Sequence, residues 1–275
     1  MEKSLESLRE ITKAVREDII RMLTESGSGH PGGSLSAVEI MTTLYFNEMN
    51  VDVQNPKDPN RDRFVLSKGH AAPVLYSVLA EKGFFNKEEL MKLRKIGAML
   101  QGHPNMTYIP GVDMSTGSLG QGISAAVGMA LAGKLDKKDY RVYSLLGDGE
   151  LEEGQVWEAA MSAAHYKLDN LTAFVDFNGL QIDGDVSDVM NPNPIADKFI
   201  AFGWNVIYLQ DGHDLVAIKN AIEESKNVKD KPTMIVCKTI KGKGVSFMEN
   251  EAGWHGSTPN KEQCEQALNE IGGEA

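Results

Sequence analysis

The second half of the chain alternates short apolar runs with segments of helical periodicity, and this alternation constrains the fold more than any other feature. The runs within "YRVYSLLGDG", "LTAFVDFNG" and "WNVIYLQDG" carry β-branched and aromatic residues and predict strands. Helical segments such as "QVWEAAMSAAHYKL" separate them. Strands joined through helices pair in parallel, and helices cover both faces of such a sheet. The sequence therefore predicts an α/β fold, with a mostly parallel sheet flanked by helices on both faces.

The first half predicts two helices followed by a βα unit. The first helix is amphipathic and ends at "SGSGHPGG"; its apolar residues are Leu5, Leu8, Ile11, Val15, Ile19 and Met22. Ser36 and Glu39 have the spacing of a capping box for the second helix. The stretch "RFVLSKGHAAPVLYSVLAEKG" predicts a strand, a glycine turn and a helix. Near the C-terminus, Thr258 is the expected cap of a last helix, with Pro259 at its first position.

Length and charge limit the classes of function that remain. A chain of 275 residues with 41% apolar and 24% charged residues is typical of a globular protein, and we expect one domain over residues 1–275. The net charge of −11, with no basic run, argues against a nucleic-acid partner. An anionic ligand must therefore be bound by cations concentrated locally.

Signals for compartment are few and agree with one another. Cys237 and Cys264 are too few for a disulfide framework and lie in no metal-type spacing, which suits a reducing cytosol. The start "MEKSLESLRE" does not resemble a signal peptide, and no apolar window is long enough to cross a bilayer. We expect a cytoplasmic protein without a membrane partner.

Two polar side chains follow neighbouring predicted strands. Asp148 stands between two glycines at the end of one strand, and Asn178 ends the next strand along the chain. An isolated Asp-Gly pair is more often a simple turn. Adjacent strand ends of a parallel sheet, however, lie side by side where ligands bind. One carboxylate and one amide oxygen form a partial shell of the kind that Mg²⁺ completes with water and substrate phosphates.

Histidine placement points to the same kind of ligand. Four of the six histidines are candidates, each beside glycine in a predicted turn: His30, His70, His103 and His255. A single histidine of this kind is more often structural, but a cluster suits a phosphorylated or polyhydroxylated ligand, since imidazoles donate to oxygen and titrate near neutral pH. We interpret His165 and His213 as structural.

A glycine-rich loop and a lysine-rich turn are weaker signals. The loop "STGSLGQGISAAVG" contains the form G-x-G-x-x-A, but a dinucleotide fingerprint should follow a strand directly, and "NMTYIPGVDM" does not predict one. In "KTIKGKG", Lys241 or Lys243 could bind a phosphate, although exposed lysines after a strand are usually solvated.

Taken together, these motifs resemble the diphosphate-binding domain of the transketolase family. "GDG", followed some thirty positions later by the asparagine of "DFNGLQIDG", is similar to the thiamine-diphosphate motif. Five further motifs occur in the family's order between residues 8 and 262: "SGHPGG", "SKGHAA", "QGHPNM", "TGSLGQG" and "WHGSTP". "DFN" stands where many thiamine enzymes have paired asparagines, which fits transketolase and disfavours the pyruvate dehydrogenase branch.

The resemblance implies a role for each matching residue. Asp148 and Asn178 would bind Mg²⁺ or another divalent cation through their side chains, and Leu180 through its carbonyl oxygen. Residues from several motifs would contact thiamine diphosphate: His70, Gly117, Leu119, Gly149, Asn178 and His255. His30 and His103 would face the reacting carbons of the sugar, and His255, which would contact the diphosphate, would join them as a catalytic residue.

The resemblance also implies a partner chain. Glu153 and Glu158 match interface positions of the family, although pairing with a helix N-terminus explains them equally well. A complete transketolase has a second domain, which binds the aminopyrimidine and promotes ylide formation, and a third domain. Neither matches residues 1–275, so we expect both on a separate C-terminal subunit, in a dimer of heterodimers.

The expected activity is transfer of a two-carbon ketol unit from a ketose phosphate to an aldose phosphate. Three alternatives remain open: another carboligase, of the deoxyxylulose-phosphate or dihydroxyacetone synthase type; a nicotinamide oxidoreductase; and a cofactor-binding half-protein without catalysis. The sequence assigns no role to Glu150 or Glu152.

Overall fold

A five-stranded parallel sheet organises the fold, which a computed structural model describes over residues 3–273. The strands are β1 (Arg63–Leu66), β2 (Val142–Gly147), β3 (Leu171–Phe177), β4 (Leu180–Gln181), β5 (Gly184–Asp185), β6 (Asn205–Leu209) and β7 (Thr233–Lys238). The helices are α1 (Leu5–Ser26), α2 (Gly32–Leu35), α3 (Val38–Thr43), α4 (Ala72–Lys82), α5 (Gln121–Leu135), α6 (Gly154–His165), α7 (Val186–Val189), α8 (Ile195–Ala201), α9 (Leu215–Asn227) and α10 (Lys261–Gly273).

The strand order brings four polar loops to one edge of the sheet. The order is β1-β2-β3-β7-β6, and all neighbours are parallel. Gly147 at the end of β2 pairs with Asp176 near the end of β3. The strands β4 and β5 form a separate hairpin just beyond β3. The loops after β1, β2, β3 and β7 therefore meet at the carboxyl edge, where parallel sheets bind ligands.

Helices cover both faces of the sheet, as predicted. On one face, α1, α3, α4, α9 and α10 pack over side chains such as Phe64 and Leu66. On the other, α5, α6 and α8 pack over side chains such as Val65. Successive side chains of β1 thus point to opposite faces of the sheet. Helices bury both faces, and the strand residues on both faces are therefore apolar. No helix within residues 3–273 is both long enough and apolar enough to cross a membrane.

The predicted strands and most predicted helices are confirmed, but the capping box at Ser36 is wrong. The second helix is interrupted, with α2 and α3 followed by a π turn over Leu44–Glu48. Ser36 Oγ donates to Asp176 Oδ2 at 2.5 Å instead of capping a helix. Glu39 accepts from Arg16 Nη2 at 2.6 Å. Both side chains are used in long-range contacts, which a local spacing rule cannot detect.

The start of the last helix also differs from the prediction. The helix α10 begins at Lys261 and is capped by Asn260, whose Oδ1 accepts from the Gln263 amide at 2.9 Å. Gln263 Oε1 in turn accepts from the Asn260 amide at 3.0 Å. This reciprocal pair is a capping box, so Thr258 and Pro259 lie before the helix.

Candidate cofactor-binding site

A cavity of about 230 Å³ lies at the carboxyl edge of the sheet. It is lined by eight of the residues that the sequence singled out: His70, Gly117, Leu119, Asp148, Gly149, Asn178, Leu180 and His255. A larger open groove of about 560 Å³ lies at the opposite edge, around Asn60, Lys138 and Arg141. Because the candidate residues converge in the smaller cavity, that cavity is the candidate site.

Asp148 and Asn178 come together at neighbouring strand ends, as expected. Asp148 is 3% exposed. Its Oδ1 accepts from the Gly149 amide at 2.8 Å and its Oδ2 from the Gly179 amide at 2.5 Å. Burial raises the pKa of Asp148 to about 6. A buried carboxylate of this kind is stabilised by a cation beside it.

The donor atoms at this point suit a hard divalent cation. The Leu180 carbonyl oxygen accepts from Lys241 Nζ at 3.2 Å, so it is already oriented toward a positive charge. Within residues 3–273 no three His, Cys, Asp or Glu side chains form a metal-binding group. The candidate ligands are instead one carboxylate, one amide and one carbonyl oxygen, a set that fits Mg²⁺ with phosphate and water completing the shell.

Three of the four predicted histidines form a cluster beside the cavity. The ring centroids of His70 and His255 are 5.1 Å apart, and His30 lies 5.4 Å from His70 and 5.5 Å from His255. His103 lies next to Gly117, where a Cβ atom would be 3.1 Å from the His103 ring. His30 and His103 therefore adjoin the cavity without lining it.

The imidazoles of this cluster are neutral at pH 7. Burial, together with the nearby Lys241 and His30, lowers the pKa of His255 to about 3. Burial also lowers the pKa of His30 to about 4, with Arg94 contributing. The pKa of His70 lies well below its usual value for the same first reason. Neutral imidazoles can both donate and accept hydrogen bonds.

The structure decides between the two candidate lysines. Lys241 is 2% exposed and lines the cavity, and its Nζ lies 3.2 Å from His255 Nδ1. Burial and the Lys68 charge lower the pKa of Lys241 to about 8. Lys243 is half-buried and pairs with Glu249 at 3.3 Å, away from the cavity. Lys241 is therefore the cation placed to meet an anionic ligand.

A second cavity cation, Lys68, was not singled out from the sequence. Its ammonium pairs with Asp176, and both side chains are fully buried. Burial works to raise the pKa of Asp176, but Lys68 and the hydrogen bonds from Ser36 and Thr239 together hold that pKa below its usual value. Lys68 follows β1 in the same "SKGH" turn as His70, and that shared strand end is the signal that could have identified it.

The carboxylates without an assigned role have structural partners. Glu150 accepts from Ser67 Oγ at 2.5 Å, the Gly120 amide at 2.9 Å and the Gly147 amide at 3.1 Å. It therefore joins three loops at the wall of the cavity, which it also lines. Glu152 accepts from Gln181 Nε2 at 3.0 Å.

The glycine-rich loop forms one wall of the cavity. A Cβ atom on Gly122 would lie 2.6 Å from Ser67 Cα, so a glycine is needed where α5 packs against the end of β1. Gly120, with φ of 80°, precedes α5. No strand directly precedes this helix, so the context of a dinucleotide fingerprint is missing.

Glu153 and Glu158 are exposed on the start of α6. Glu153 occupies the N-cap position, but its side chain makes no capping hydrogen bond. A capping hydrogen bond to the helix N-terminus therefore does not explain the presence of a glutamate at position 153.

Comparison with known proteins identifies the family of the chain. Residues 7–275 match the family described as the transketolase thiamine diphosphate binding domain. The 6-deoxy-6-sulfo-D-fructose transketolase subunit SqwG of Clostridium sp. (strain MSTE9) is 48% identical over 259 residues, covering 92% of this chain and 94% of the relative. An apulose-4-phosphate transketolase subunit of Phocaeicola vulgatus is 42% identical over 267 residues, covering 97% of this chain and 94% of that relative.

A solved structure extends the comparison to the fold. Transketolase from Campylobacter jejuni superposes with a TM-score of 0.92 at 34% identity, covering 98% of this chain and 43% of that one. The fold and the family match together define a thiamine-diphosphate-binding domain of the α/β class. Within that class, the chain belongs to the transketolase family.

Proposed function

We propose that this chain is the N-terminal subunit of a two-chain transketolase and that its cavity binds thiamine diphosphate through Mg²⁺. The supporting observation is the lining of the cavity. Asp148, Asn178 and Leu180 offer oxygen ligands suited to Mg²⁺. The buried side chains of Lys68 and Lys241 line the same cavity. An acidic protein thereby concentrates positive charge where a diphosphate has to lie.

Thiamine diphosphate supplies a nucleophilic carbon and an electron sink for cleavage of a C–C bond. The chain supplies anchoring and hydrogen bonds. Lys241 Nζ can only donate, so His255 Nδ1 accepts from it at 3.2 Å and the His255 proton resides on Nε2. His255 then offers an N–H donor to a phosphate or sugar oxygen. His30 and His103 lie beside the cavity, and we infer that they exchange protons with sugar hydroxyl and carbonyl oxygens.

The relatives suggest the substrate class. The names of two relatives specify 6-deoxy-6-sulfo-D-fructose and apulose 4-phosphate, which are ketoses with an anionic group. We infer that the donor here is a ketose phosphate or a similar anionic ketose and that the acceptor is an aldose phosphate.

A partner chain is the second part of the proposal. Two relatives of similar length are named as subunits, and this chain covers 94% of each. We infer that a C-terminal subunit carries the aminopyrimidine-binding and third domains, leaving a single diphosphate-binding domain over residues 1–275. The exposed carboxylates of Glu153 and Glu158 would face the interface of a dimer of heterodimers. Free Cys237 and Cys264 suit a cytoplasmic location.

The test is to purify the chain from its host under mild conditions, identify the polypeptide that accompanies it and assay the complex for ketol transfer. We expect activity that requires both chains, thiamine diphosphate and Mg²⁺. Product analysis separates ketol transfer from deoxyxylulose-phosphate or dihydroxyacetone synthesis. A fully active homodimer would contradict the two-chain proposal, and cofactor binding without turnover with the accompanying chain would indicate a non-catalytic half-protein.

A further inference from the structure

We propose that Glu39 and His213, which lie outside the cavity, position Lys241 inside it by holding the backbone of the loop that follows β7. The inference rests on the proposed function because Lys241 belongs to the same cavity. It gives a role in the site to a histidine that the sequence indicated only as structural.

The hydrogen bonds of His213 fix its tautomer. Its Nε2 lies 2.9 Å from the Ile240 amide nitrogen, and its Nδ1 lies 2.9 Å from Glu39 Oε2. A backbone amide can only donate, so Nε2 must be unprotonated and accept. The proton is then on Nδ1 and is donated to the Glu39 carboxylate. Glu39 thus selects the one tautomer that can hold the Ile240 amide.

A buried arginine extends this contact to the other side of Lys241. Arg16 Nη2 donates to the second oxygen of Glu39 at 2.6 Å, and Arg16 Nε donates to the Lys243 carbonyl oxygen at 3.1 Å. The two contacts hold the backbone at residues 240 and 243. Burial works to raise the pKa of Glu39, but Arg16 and His213 outweigh it and keep the carboxyl ionised.

The geometry of Lys241 makes it sensitive to this support. Its side chain is buried and its ammonium reaches two specific atoms, the Leu180 carbonyl oxygen and His255 Nδ1, each at 3.2 Å. A small shift of the loop would lengthen both hydrogen bonds, which weaken steeply with distance and angle. Glu39 and His213 are therefore positioning residues.

Two substitutions of His213 separate positioning from packing. His213→Gln can place a side-chain oxygen near the Nε2 position and accept from the Ile240 amide, whereas the shorter His213→Asn cannot reach it. Neither introduces a charge. His165→Gln and His165→Asn, at the exposed end of α6, are the matched controls.

The first measurement uses the ligand-free full chain. We expect ¹⁵N NMR of labelled histidine to show an unprotonated Nε2 at His213 in the wild type. We also expect faster Ile240 amide exchange and faster acetylation of Lys241, relative to Lys243, in His213→Asn but not in His213→Gln. A protonated Nε2, or equal Lys241 acetylation in both variants, would overturn the inference.

The second measurement is the affinity for thiamine diphosphate with Mg²⁺. His213→Asn should lose about tenfold, the scale of one hydrogen bond, and His213→Gln should stay within about threefold of the wild type. Equal losses in both variants would also overturn the inference. If the wild-type complex with its partner binds no thiamine diphosphate, the proposed function fails, while Lys241 acetylation still decides the positioning role.

Discussion

The Asp148 carboxylate accepts a hydrogen bond of 2.5 Å from the amide of Gly179, which ties the end of β2 to the loop after β3. This contact places the carboxylate beside the segment that carries Asn178 and Leu180. The three proposed metal ligands therefore come from two strand ends that are held together before any cation binds, which lowers the cost of ordering them.

Binding of Mg²⁺ should depend on pH through Asp148. Burial raises the pKa of this carboxyl from 3.8 to about 6, and the metal requires the deprotonated form. The apparent Mg²⁺ affinity should fall about tenfold for each pH unit below 6, since one proton competes. Calorimetry between pH 5 and pH 8 measures this slope.

The same shift fixes the sign of the effect on stability. Because the pKa is raised in the folded state, ionisation of Asp148 costs the metal-free chain stability as the pH rises, and the cost is complete above about pH 6. Bound Mg²⁺ should offset it, so the rise in melting temperature with Mg²⁺ should be larger at pH 7.5 than at pH 5. An equal rise at both values would argue against this assignment.

Lys241→Gln should weaken binding of thiamine diphosphate about 10- to 100-fold, because a charge-assisted hydrogen bond is lost from a buried site. Lys243→Gln is the matched control, since Lys243 pairs with Glu249 outside the cavity. We expect Lys243→Gln to change the affinity for thiamine diphosphate by less than about twofold. Fluorescence titration measures both affinities. Equal effects of the two substitutions would contradict the assignment of Lys241, rather than Lys243, to the binding of the diphosphate.

Breaking the pair between Lys68 and Asp176 should destabilise the chain by about 3–5 kcal/mol, because each single substitution leaves a buried group without its partner. Urea unfolding of Lys68→Met, Asp176→Asn and the double variant measures the coupling. The double variant should lose less than the sum of the single losses. Additive losses would mean that the two groups do not interact. The exposed pair of Lys92 and Glu89 is the control. Lys92→Met should leave the unfolding midpoint nearly unchanged.

Glu153→Ala and Glu158→Ala should weaken association with the partner chain, whereas Glu10→Ala on α1 should not. All three side chains are exposed, so loss of fold is not expected from any of them. Sedimentation velocity of the reconstituted complex measures the dissociation constant. Unaltered association in the Glu153 and Glu158 variants would remove these residues from the interface.

Much of the fold could be predicted because burial on both faces leaves a local signature. The strands are short apolar runs, the helices between them are periodic, and glycines mark the turns. The errors at Ser36 and Thr258 have different causes. Ser36 donates to the distant carboxylate of Asp176, which only the tertiary structure shows. The expected cap at Thr258 is wrong because Asn260, which forms a local capping box with Gln263, caps the helix instead.

The site residues that could be predicted from the sequence are those whose placement depends on local structure. Asp148 and Asn178 follow strands directly, so their meeting could be inferred from a parallel sheet. The roles of Lys68 and Glu150 depend on contacts across about 80 residues or more, with Asp176 and Ser67 respectively. Burial also separates Lys241 from Lys243, which are two positions apart and look alike in sequence.

The most direct test of the account is a calorimetric titration of thiamine diphosphate into the complex of this chain with its partner. Wild-type complex should bind the cofactor in Mg²⁺, and binding should be lost in EDTA. With Asp148→Ala, the complex should still assemble. Its affinity for thiamine diphosphate in Mg²⁺ should fall about 100-fold or more, since an anchoring ligand is gone. Unchanged, Mg²⁺-dependent binding by the Asp148→Ala complex would contradict the account.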